Sequence, residues 1–313
     1  MNVLVFKRII TIVLAMIALL VLQVVCFKVK KTLISKTQKR MMKGIWGLGT
    51  IIVLLMMVSY LFADTVLYRP HFQEEAYAQL KNSENLEELL IDTPVGKCAG
   101  WMYHSMYESQ VTIILFPGNM YTSEEMAGYS SGLEQKETGI NMITLDYPGY
   151  GRSEGMPTEH TIKQMALSAF DELMCRSDMQ NQKIVLMGYS LGTGIANYVA
   201  SKREIDGLIL MAPYQNGYDL LNGFVDVYHG PLKLLNPYKM RADKFAETIR
   251  VKPLLIASRD DELISYKSSL ALSEIYPAGC EVKLYDGLGH GGFWQDMNVK
   301  QDILGYLTDN FSK

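Results

Sequence analysis

The stretch KIVLMGYSLGTGIANYVA, residues 183–200, passes from an apolar strand pattern through Gly-Tyr-Ser-Leu-Gly into a helical pattern. A serine between two glycines at a strand-to-helix turn stands above the carboxyl end of the strand, where open α/β sheets place their ligands. The match to G-x-S-x-G is a weak signal by itself, because ordinary tight turns also contain it. Ser190 is therefore a candidate nucleophile whose partners have to be found elsewhere in the chain.

Short apolar runs alternate with helical patterns on both sides of this stretch. Leu86–His104 reads as two strands around a Pro-Val-Gly turn, and Val111–Phe116 and Ile140–Tyr147 follow as continuous apolar strands. The later apolar runs are KIVLMG, GLILMAP, KPLLIAS and EVKLYDG. Continuous apolar strands separated by helices are typical of a mostly parallel sheet covered on both faces. The predicted fold class is therefore α/β.

One long segment interrupts the alternation. Tyr214–Arg250 is too long for an ordinary connection and is rich in aromatic and leucine residues. We predict a small cap or lid at about residues 214–250. The predicted organisation of the body is a linker at residues 64–85 and an α/β domain at residues 86–313.

The N-terminal piece differs from the body in charge. Residues 1–63 contain no Asp or Glu and nine Lys or Arg, so the remainder carries 21 basic and 33 acidic residues, a net charge of −12. A net-acidic body argues against nucleic acid as a partner. The piece also holds two uncharged apolar runs, Ile9–Phe27 and Ile45–Ala63. Each would be roughly 28 Å long as a helix, close to the thickness of the bilayer core.

We predict that residues 1–63 form a transmembrane hairpin with spans at about 9–27 and 45–63. Two buried core helices, or a signal peptide followed by one span, are the alternatives. The seven basic residues between the runs place that loop in the cytoplasm, although the short basic N-terminus opposes this orientation. The predicted location is the cell membrane, with the body on its extracytoplasmic side and the lipid bilayer as a partner of the N-terminal helices.

The four cysteines lack metal-ligand spacing and a dense disulfide pattern. We expect incidental thiols, or one disulfide if the body is extracytoplasmic. The residues concerned are Cys26, Cys98, Cys175 and Cys280.

A serine hydroxyl becomes a nucleophile only when a base removes its proton. Two histidines follow Ser190, and His229 lies in the predicted cap, whereas His290 lies in the glycine-rich loop YDGLGHGGFW after the last strand. We therefore predict His290 as the base, with a surface loop histidine as the alternative. The acid should follow the strand KPLLIA, where Asp260 and Asp261 both qualify and either could instead cap the next helix. Of the two, we choose Asp261.

Acyl transfer also requires two backbone N–H groups directed at the oxyanion. One should belong to Leu191, directly after the nucleophile. The other should lie in the loop PGNMYTSE after VTIILF, where Asn119 is our candidate and a plain turn is the alternative.

From about residue 86 to the C-terminus, about 70% of the chain, these motifs resemble the α/β-hydrolase superfamily. The resemblance rests on FPGN, DYPGYGRSEGMPTE, GYSLGTGIA, APY, SRDDELIS and GLGHGG in the family's order. Within the superfamily the chain is similar to the membrane-anchored serine hydrolases of the bud-emergence and α/β-hydrolase-domain type. Pro117 stands where that family usually has His, and Ser265 where it usually has Pro. The alignment favours Asp261 over Asp260, and Asp146 matches a position that organises the loop near the site.

The resemblance implies a membrane-anchored serine hydrolase that cleaves ester, thioester or amide bonds through an acyl-enzyme, with no metal or organic cofactor. Its substrates would be small or lipid-like acyl compounds. A peptidase is the alternative within the same chemistry, and a non-catalytic membrane scaffold is the alternative from another class. A transporter or channel subunit is disfavoured, because the two apolar runs contain no charge.

Overall fold

The computed structural model describes residue 17 and residues 35–133 and 139–311. Its residues fall into two compact units. The described residues up to Val66 and the segment Val227–Pro237 belong to the first unit. Those of Leu67–Asp226 and Tyr238–Lys313 belong to the second. The division at residue 63 and the linker at 64–85 stay predictions.

The second unit is built on an eight-stranded sheet with strand order β1-β2-β4-β3-β5-β6-β7-β8. β1 pairs with β2, and β2 with β4, in antiparallel fashion, and all other neighbouring strands are parallel. The prediction of a mostly parallel sheet is therefore confirmed. The strands are β1 (Leu86–Thr93), β2 (Gly96–Tyr103), β3 (Ser109–Phe116), β4 (Gly139–Leu145), β5 (Lys183–Tyr189), β6 (Gly207–Met211), β7 (Leu254–Ser258) and β8 (Glu281–Tyr285).

Helices connect most of the strands, as the alternating pattern predicts. The α-helices of the described ranges are α1 (Lys36–Leu67), α2 (Glu74–Leu80), α3 (Ser123–Gly132), α4 (Glu159–Met174), α5 (Leu191–Ala200), α6 (Gly217–Asn222), α7 (Ala242–Ala246), α8 (Tyr266–Ser273) and α9 (Met297–Phe311). Short 3₁₀ turns lie at Ser177–Met179, Gly230–Leu235 and Gly292–Trp294.

Central strands are buried along most of their length. Ile113, Ile114 and Leu115 of β3 are fully buried, which is the pattern of a parallel strand covered on both faces. Helix α4 begins with a capping box between Thr158 and Thr161. Its apolar residues at helical spacing form one buried stripe: Ile162, Met165, Ala166, Ala169, Phe170 and Leu173.

The N-terminal prediction receives no support from the structure. The predicted span at 45–63 lies within α1, and the predicted span at 9–27 lies outside the described residues except for residue 17. In the ranges that the structure describes, no helix combines the length and the apolar character that crossing a bilayer requires. The prediction of a transmembrane span at 45–63 is therefore not supported.

The segment predicted as a cap holds α6, α7 and the 3₁₀ turn Gly230–Leu235. Its role as a lid stays a prediction. Cys98, Cys175 and Cys280 are free thiols, so the optional disulfide among them is not formed, and Cys26 lies outside the described residues.

Candidate active site

Ser190 occupies the sharp turn between β5 and α5. Its backbone has φ 51° and ψ −117°, a conformation that residues with a side chain rarely adopt. The Ser190 N–H donates to the carbonyl of Met211 on the neighbouring strand β6 at 2.9 Å, which ties the turn to the sheet. The strained backbone thus sits at the point where the sequence predicts the nucleophile.

The glycines on either side allow this turn to pack tightly. A Cβ at Gly188 would lie 2.7 Å from Cα of Thr193, and one at Gly192 would lie 1.9 Å from the carbonyl oxygen of Phe116. Real Cβ atoms do not approach backbone so closely, so these positions admit only glycine without a shift of β3 or α5. The G-x-S-x-G pattern therefore reflects close contact of the turn with both neighbours.

Three sequence-predicted residues come together above the sheet. His290 Nε2 lies 2.9 Å from Ser190 Oγ, and His290 Nδ1 lies 2.9 Å from both carboxylate oxygens of Asp261. The chain separates Ser190 from His290 by 100 residues, so only the fold produces this arrangement. Asp260, the other acid that the sequence allows, accepts the N–H of Gly287 and does not contact the imidazole.

The hydrogen bonds of Asp261 determine which nitrogen of His290 carries the proton. The Asp261 carboxylate also accepts the N–H groups of Leu263 and Ile264 at 2.9 and 2.8 Å, so it is held in place and is an acceptor towards His290. The Nδ1 atom then carries the imidazole proton, which leaves Nε2 as the acceptor for the Ser190 hydroxyl. The side chains of His290 and Asp261 are only 11% and 1% exposed, which shields this line of hydrogen bonds from competing water.

Both candidate oxyanion donors have unused N–H groups. Leu191 is the first residue of α5, where N–H groups have no partner inside the helix. Among the described residues, neither the Leu191 nor the Asn119 N–H donates a hydrogen bond to another backbone group or a side chain. The Asn119 side chain has a separate task, because its Nδ2 donates to the carbonyl of Leu67 at 2.8 Å.

Asp146 lies outside this group, in agreement with the role that the resemblance implies. Its carboxylate accepts both the N–H and the hydroxyl of Ser123 at 2.7 Å, at the start of α3. Burial raises the pKa of Asp146 to about 7, the charge of nearby Glu124 adds to the rise, and hydrogen bonds from Ser123 and Arg152 partly offset it. Asp146 thus ties the loop after β3 to the loop after β4.

Three further residues contact His290 or the loop of Asn119, and none of them was predicted from the sequence. The Glu262 carboxylate accepts the backbone N–H of His290 at 2.9 Å. The hydroxyls of Tyr147 and Tyr150 donate to the carbonyls of Pro117 and Asn119 at 2.7 and 2.9 Å. Both tyrosines belong to the motif DYPGYG, whose match to the family was the available signal.

Within residues 35–133 and 139–311, His, Cys, Asp and Glu side chains do not gather in threes or more as a metal ion would need.

Comparison with known proteins points to one family. The sequence model for the alpha/beta hydrolase fold matches residues 111–230. The chain is 28% identical over 223 residues to alpha/beta hydrolase domain-containing protein 17C of Xenopus tropicalis, which covers 70% of each chain. It is 25% identical over 189 residues to alpha/beta hydrolase domain-containing protein aho-3 of Caenorhabditis elegans, which covers 60% of this chain and 55% of that one.

Solved structures share the fold at low sequence identity. The Pyrococcus furiosus esterase Pf2001 superposes with a TM-score of 0.62 at 18% identity, over 77% of this chain and 98% of that one. Est1E of Butyrivibrio proteoclasticus, solved with ferulic acid bound, superposes with a TM-score of 0.61 at 17% identity, over 72% of this chain and all of that one. The sequence matches and the shared fold together support the α/β-hydrolase superfamily as the family that this chain resembles.

Proposed function

We propose that this chain is a serine hydrolase that cleaves an acyl bond through a covalent acyl-enzyme. The observation that carries the proposal is the unbroken line of hydrogen bonds from Ser190 Oγ through His290 to Asp261, with each contact at 2.9 Å. Such a line lets a weakly acidic alcohol lose its proton at the moment of attack.

The reaction follows from the atoms in this line. Ser190 Oγ forms a bond to the substrate carbonyl carbon while its proton moves to His290 Nε2. Asp261 stabilises the imidazolium that results and keeps the ring in place. The carbonyl oxygen gains a negative charge, and the N–H groups of Asn119 and Leu191 donate hydrogen bonds to it.

Collapse of the tetrahedral intermediate completes the first half. The bond from carbon to the leaving group breaks, and His290 gives its proton to the departing alcohol, thiol or amine. Water then attacks the acyl-enzyme, with His290 as the base that takes its proton. Ser190 leaves with that proton, and a free carboxylic acid is released.

Apolar acyl esters are the substrate class that we propose. Met120, directly after Asn119, is 61% exposed. The ring of Tyr189 stacks on the imidazole of His290 at 5.4 Å and contacts the rings of Tyr121 and Trp294 at 5.8 and 5.1 Å. We propose that the exposed Met120 beside Asn119 contacts a hydrocarbon or aromatic acyl group, while the buried ring of Tyr189 supports His290 from behind.

Fluorophosphonate labelling tests the nucleophile. We expect stoichiometric labelling of the full chain, loss of labelling in Ser190→Ala, and a nearly unchanged melting temperature. Ser201→Ala is the matched control, because Ser201 follows the same helix α5 and its hydroxyl bonds only to the carbonyl of Tyr198. Folded protein that is not labelled would favour the non-catalytic scaffold, and labelling that survives in Ser190→Ala would reject Ser190.

A series of p-nitrophenyl esters with increasing acyl length, measured beside thioesters and peptides, tests the substrate class. We expect kcat/KM to be highest for esters and to rise with chain length. A higher kcat/KM for peptides would replace the esterase proposal with the peptidase alternative.

Membrane attachment through the predicted hairpin, with spans at about 9–27 and 45–63, and an extracytoplasmic α/β domain rest on the sequence alone, and the described residues do not support the span at 45–63. Alkaline carbonate extraction of membranes from cells that express the full chain would test the attachment. Accessibility of the domain to an impermeant protease in intact cells would test its side.

A further inference from the structure

Three consecutive backbone carbonyls in the loop after β3, those of residues 117–119, each accept a hydrogen bond. Tyr147 Oη donates to the carbonyl of Pro117 at 2.7 Å, and Tyr150 Oη donates to the carbonyl of Asn119 at 2.9 Å. The carbonyl of Gly118, between them, accepts the N–H of Tyr121 at 3.3 Å. The loop is thus fixed at every carbonyl on either side of the Asn119 N–H.

Because peptide groups are planar, these hydrogen bonds bear on the direction of the Asn119 N–H. The Asn119 N–H shares a rigid plane with the Gly118 carbonyl and points the opposite way. The hydroxyls of Tyr147 and Tyr150 hold the planes on either side, and the bond from Tyr121 to the Gly118 carbonyl opposes rotation of the plane between them. Tyr147 and Tyr150 have no exposed surface, so water could not replace their bonds to the loop.

Tyr150 also connects the loop to a distant part of the sequence. Its hydroxyl accepts the N–H of Arg69 at 2.6 Å while it donates to Asn119, and the Asn119 side chain donates to the carbonyl of Leu67 at 2.8 Å. Burial raises the pKa of Tyr150 above its usual value, so the hydroxyl stays a donor at neutral and alkaline pH. Leu67–Arg69, predicted as part of a linker, therefore helps to hold this loop.

We propose that Tyr150, assisted by Tyr147, is a positioning residue that holds the Asn119 N–H in the direction required to stabilise the oxyanion. This inference rests on the serine hydrolase function proposed above. Neither tyrosine touches the substrate, and each acts through the backbone of Pro117–Asn119.

Tyr150→Phe is the test, and Tyr306→Phe is its matched control. Tyr306 Oη has the same pattern of bonds, because it donates to the carbonyl of Lys252 at 2.9 Å and accepts the N–H of Leu208 at 3.3 Å. It lies at the N-terminal ends of β6 and β7, whereas Ser190 lies at the C-terminal ends of the strands. Both variants should lose a similar amount of thermal stability, since each removes one buried hydroxyl with two partners.

Activity should separate the two variants. We expect Tyr150→Phe to lower kcat about tenfold to a hundredfold with KM nearly constant, because an oxyanion donor acts mainly in the transition state. Tyr306→Phe should stay within about twofold of the wild type, and Tyr147→Phe should fall between them. The pH profile of kcat should keep its midpoint in Tyr150→Phe, because the bonds of His290 are unchanged.

A trifluoromethyl ketone, which forms a charged tetrahedral adduct with an active-site serine, reports on the donor directly. Its inhibition constant should rise in Tyr150→Phe by about the same factor as kcat/KM falls. Unchanged inhibition, or a Tyr150→Phe enzyme as active as Tyr306→Phe, would overturn this inference and leave the serine hydrolase intact. A wild-type chain that neither hydrolyses esters nor reacts with fluorophosphonate would overturn the proposed function itself.

Hydrogen exchange gives a readout that does not depend on turnover. Amides of residues 118–121 should exchange faster in Tyr150→Phe than in the wild type and in Tyr306→Phe. Equal exchange in all three proteins would overturn the positioning role.

Discussion

The two loops that bring Ser190 and His290 together are fixed in different ways. The turn at Ser190 is fixed by steric contact, since a Cβ at Gly192 would collide with the backbone of β3. The loop that carries His290 is also rich in glycine, but a Cβ at Gly287 or Gly291 would have no atom within 4 Å. Gly287 and Gly289 are required instead for their backbone conformation, with φ of 79° and 60°.

The histidine loop is held by side chains of the acid loop after β7. Arg259 pairs with Asp286 at 2.9 Å, Asp260 accepts the N–H of Gly287, and Glu262 accepts the N–H of His290. With Asp261, four consecutive side chains contact the histidine loop. The turn at Ser190 thus requires glycines because a side chain there would clash with neighbouring backbone. The histidine loop is held instead by polar side chains of the acid loop.

Gly192→Ala should have the largest effect. The new Cβ would lie 1.9 Å from the carbonyl of Phe116, so β3 or α5 has to move. We expect a loss of about 3 kcal/mol or more in the free energy of unfolding, measured by urea denaturation, and loss of fluorophosphonate labelling. A stable, fully labelled variant would contradict the steric account of the turn.

Asp146→Asn tests a buried carboxylate that lies outside both of these loops. Because the folded pKa of Asp146 is raised to about 7 from 3.8, the folded protein binds a proton that the unfolded chain has lost. Stability from this group is therefore present below about pH 4 and is lost as the pH rises to about 7.

Relative to Asp146→Asn, the wild type should lose up to about 1.4 kcal/mol of unfolding free energy per pH unit in that window. Urea denaturation of both proteins between pH 4.5 and 8 measures the difference, and Asn can keep both hydrogen bonds to Ser123. Parallel curves for the two proteins would contradict a raised pKa at Asp146.

Glu262→Ala tests the polar support of the histidine loop. Removal of the acceptor for the His290 N–H should lower kcat about tenfold and the free energy of unfolding by about 1 kcal/mol. Steady-state ester hydrolysis and urea denaturation measure these effects. Glu262→Gln keeps an acceptor oxygen and should retain most of the activity, so equal losses in both variants would contradict this role.

Gly291→Ala should have the smallest effect and the opposite sign to Gly192→Ala. Gly291 is exposed, has φ −87° and ψ −9°, and has open space where a Cβ would stand. We expect unchanged activity and a gain of up to about 1 kcal/mol in urea denaturation, because alanine restricts the unfolded chain. A loss as large as that of Gly192→Ala would remove the contrast between the loops.

Much of the fold was readable from local patterns. Continuous apolar runs such as Val111–Phe116 fall within parallel strands, and the 3.6-residue stripe of Glu159–Met174 is buried. The N-terminal runs are the exception, since apolar length alone predicted a span at 45–63 that the described helices do not support. The cap at 214–250 stays a prediction, and the grouping of residues 227–237 with the first unit could not be read from local patterns.

Sequence alone determined which chemical groups this protein offers: a serine flanked by glycines, a histidine in a late loop and two adjacent acids. It determined them because a strand-to-helix turn, a loop and an apolar strand each leave a local signature. The resemblance favoured Asp261 over Asp260, but only the tertiary structure places the Asp261 carboxylate against the imidazole and the hydroxyls of Tyr147 and Tyr150 against the loop of Asn119. Directions of side chains and of single N–H groups arise from contacts between distant segments, and no local pattern of residues records them.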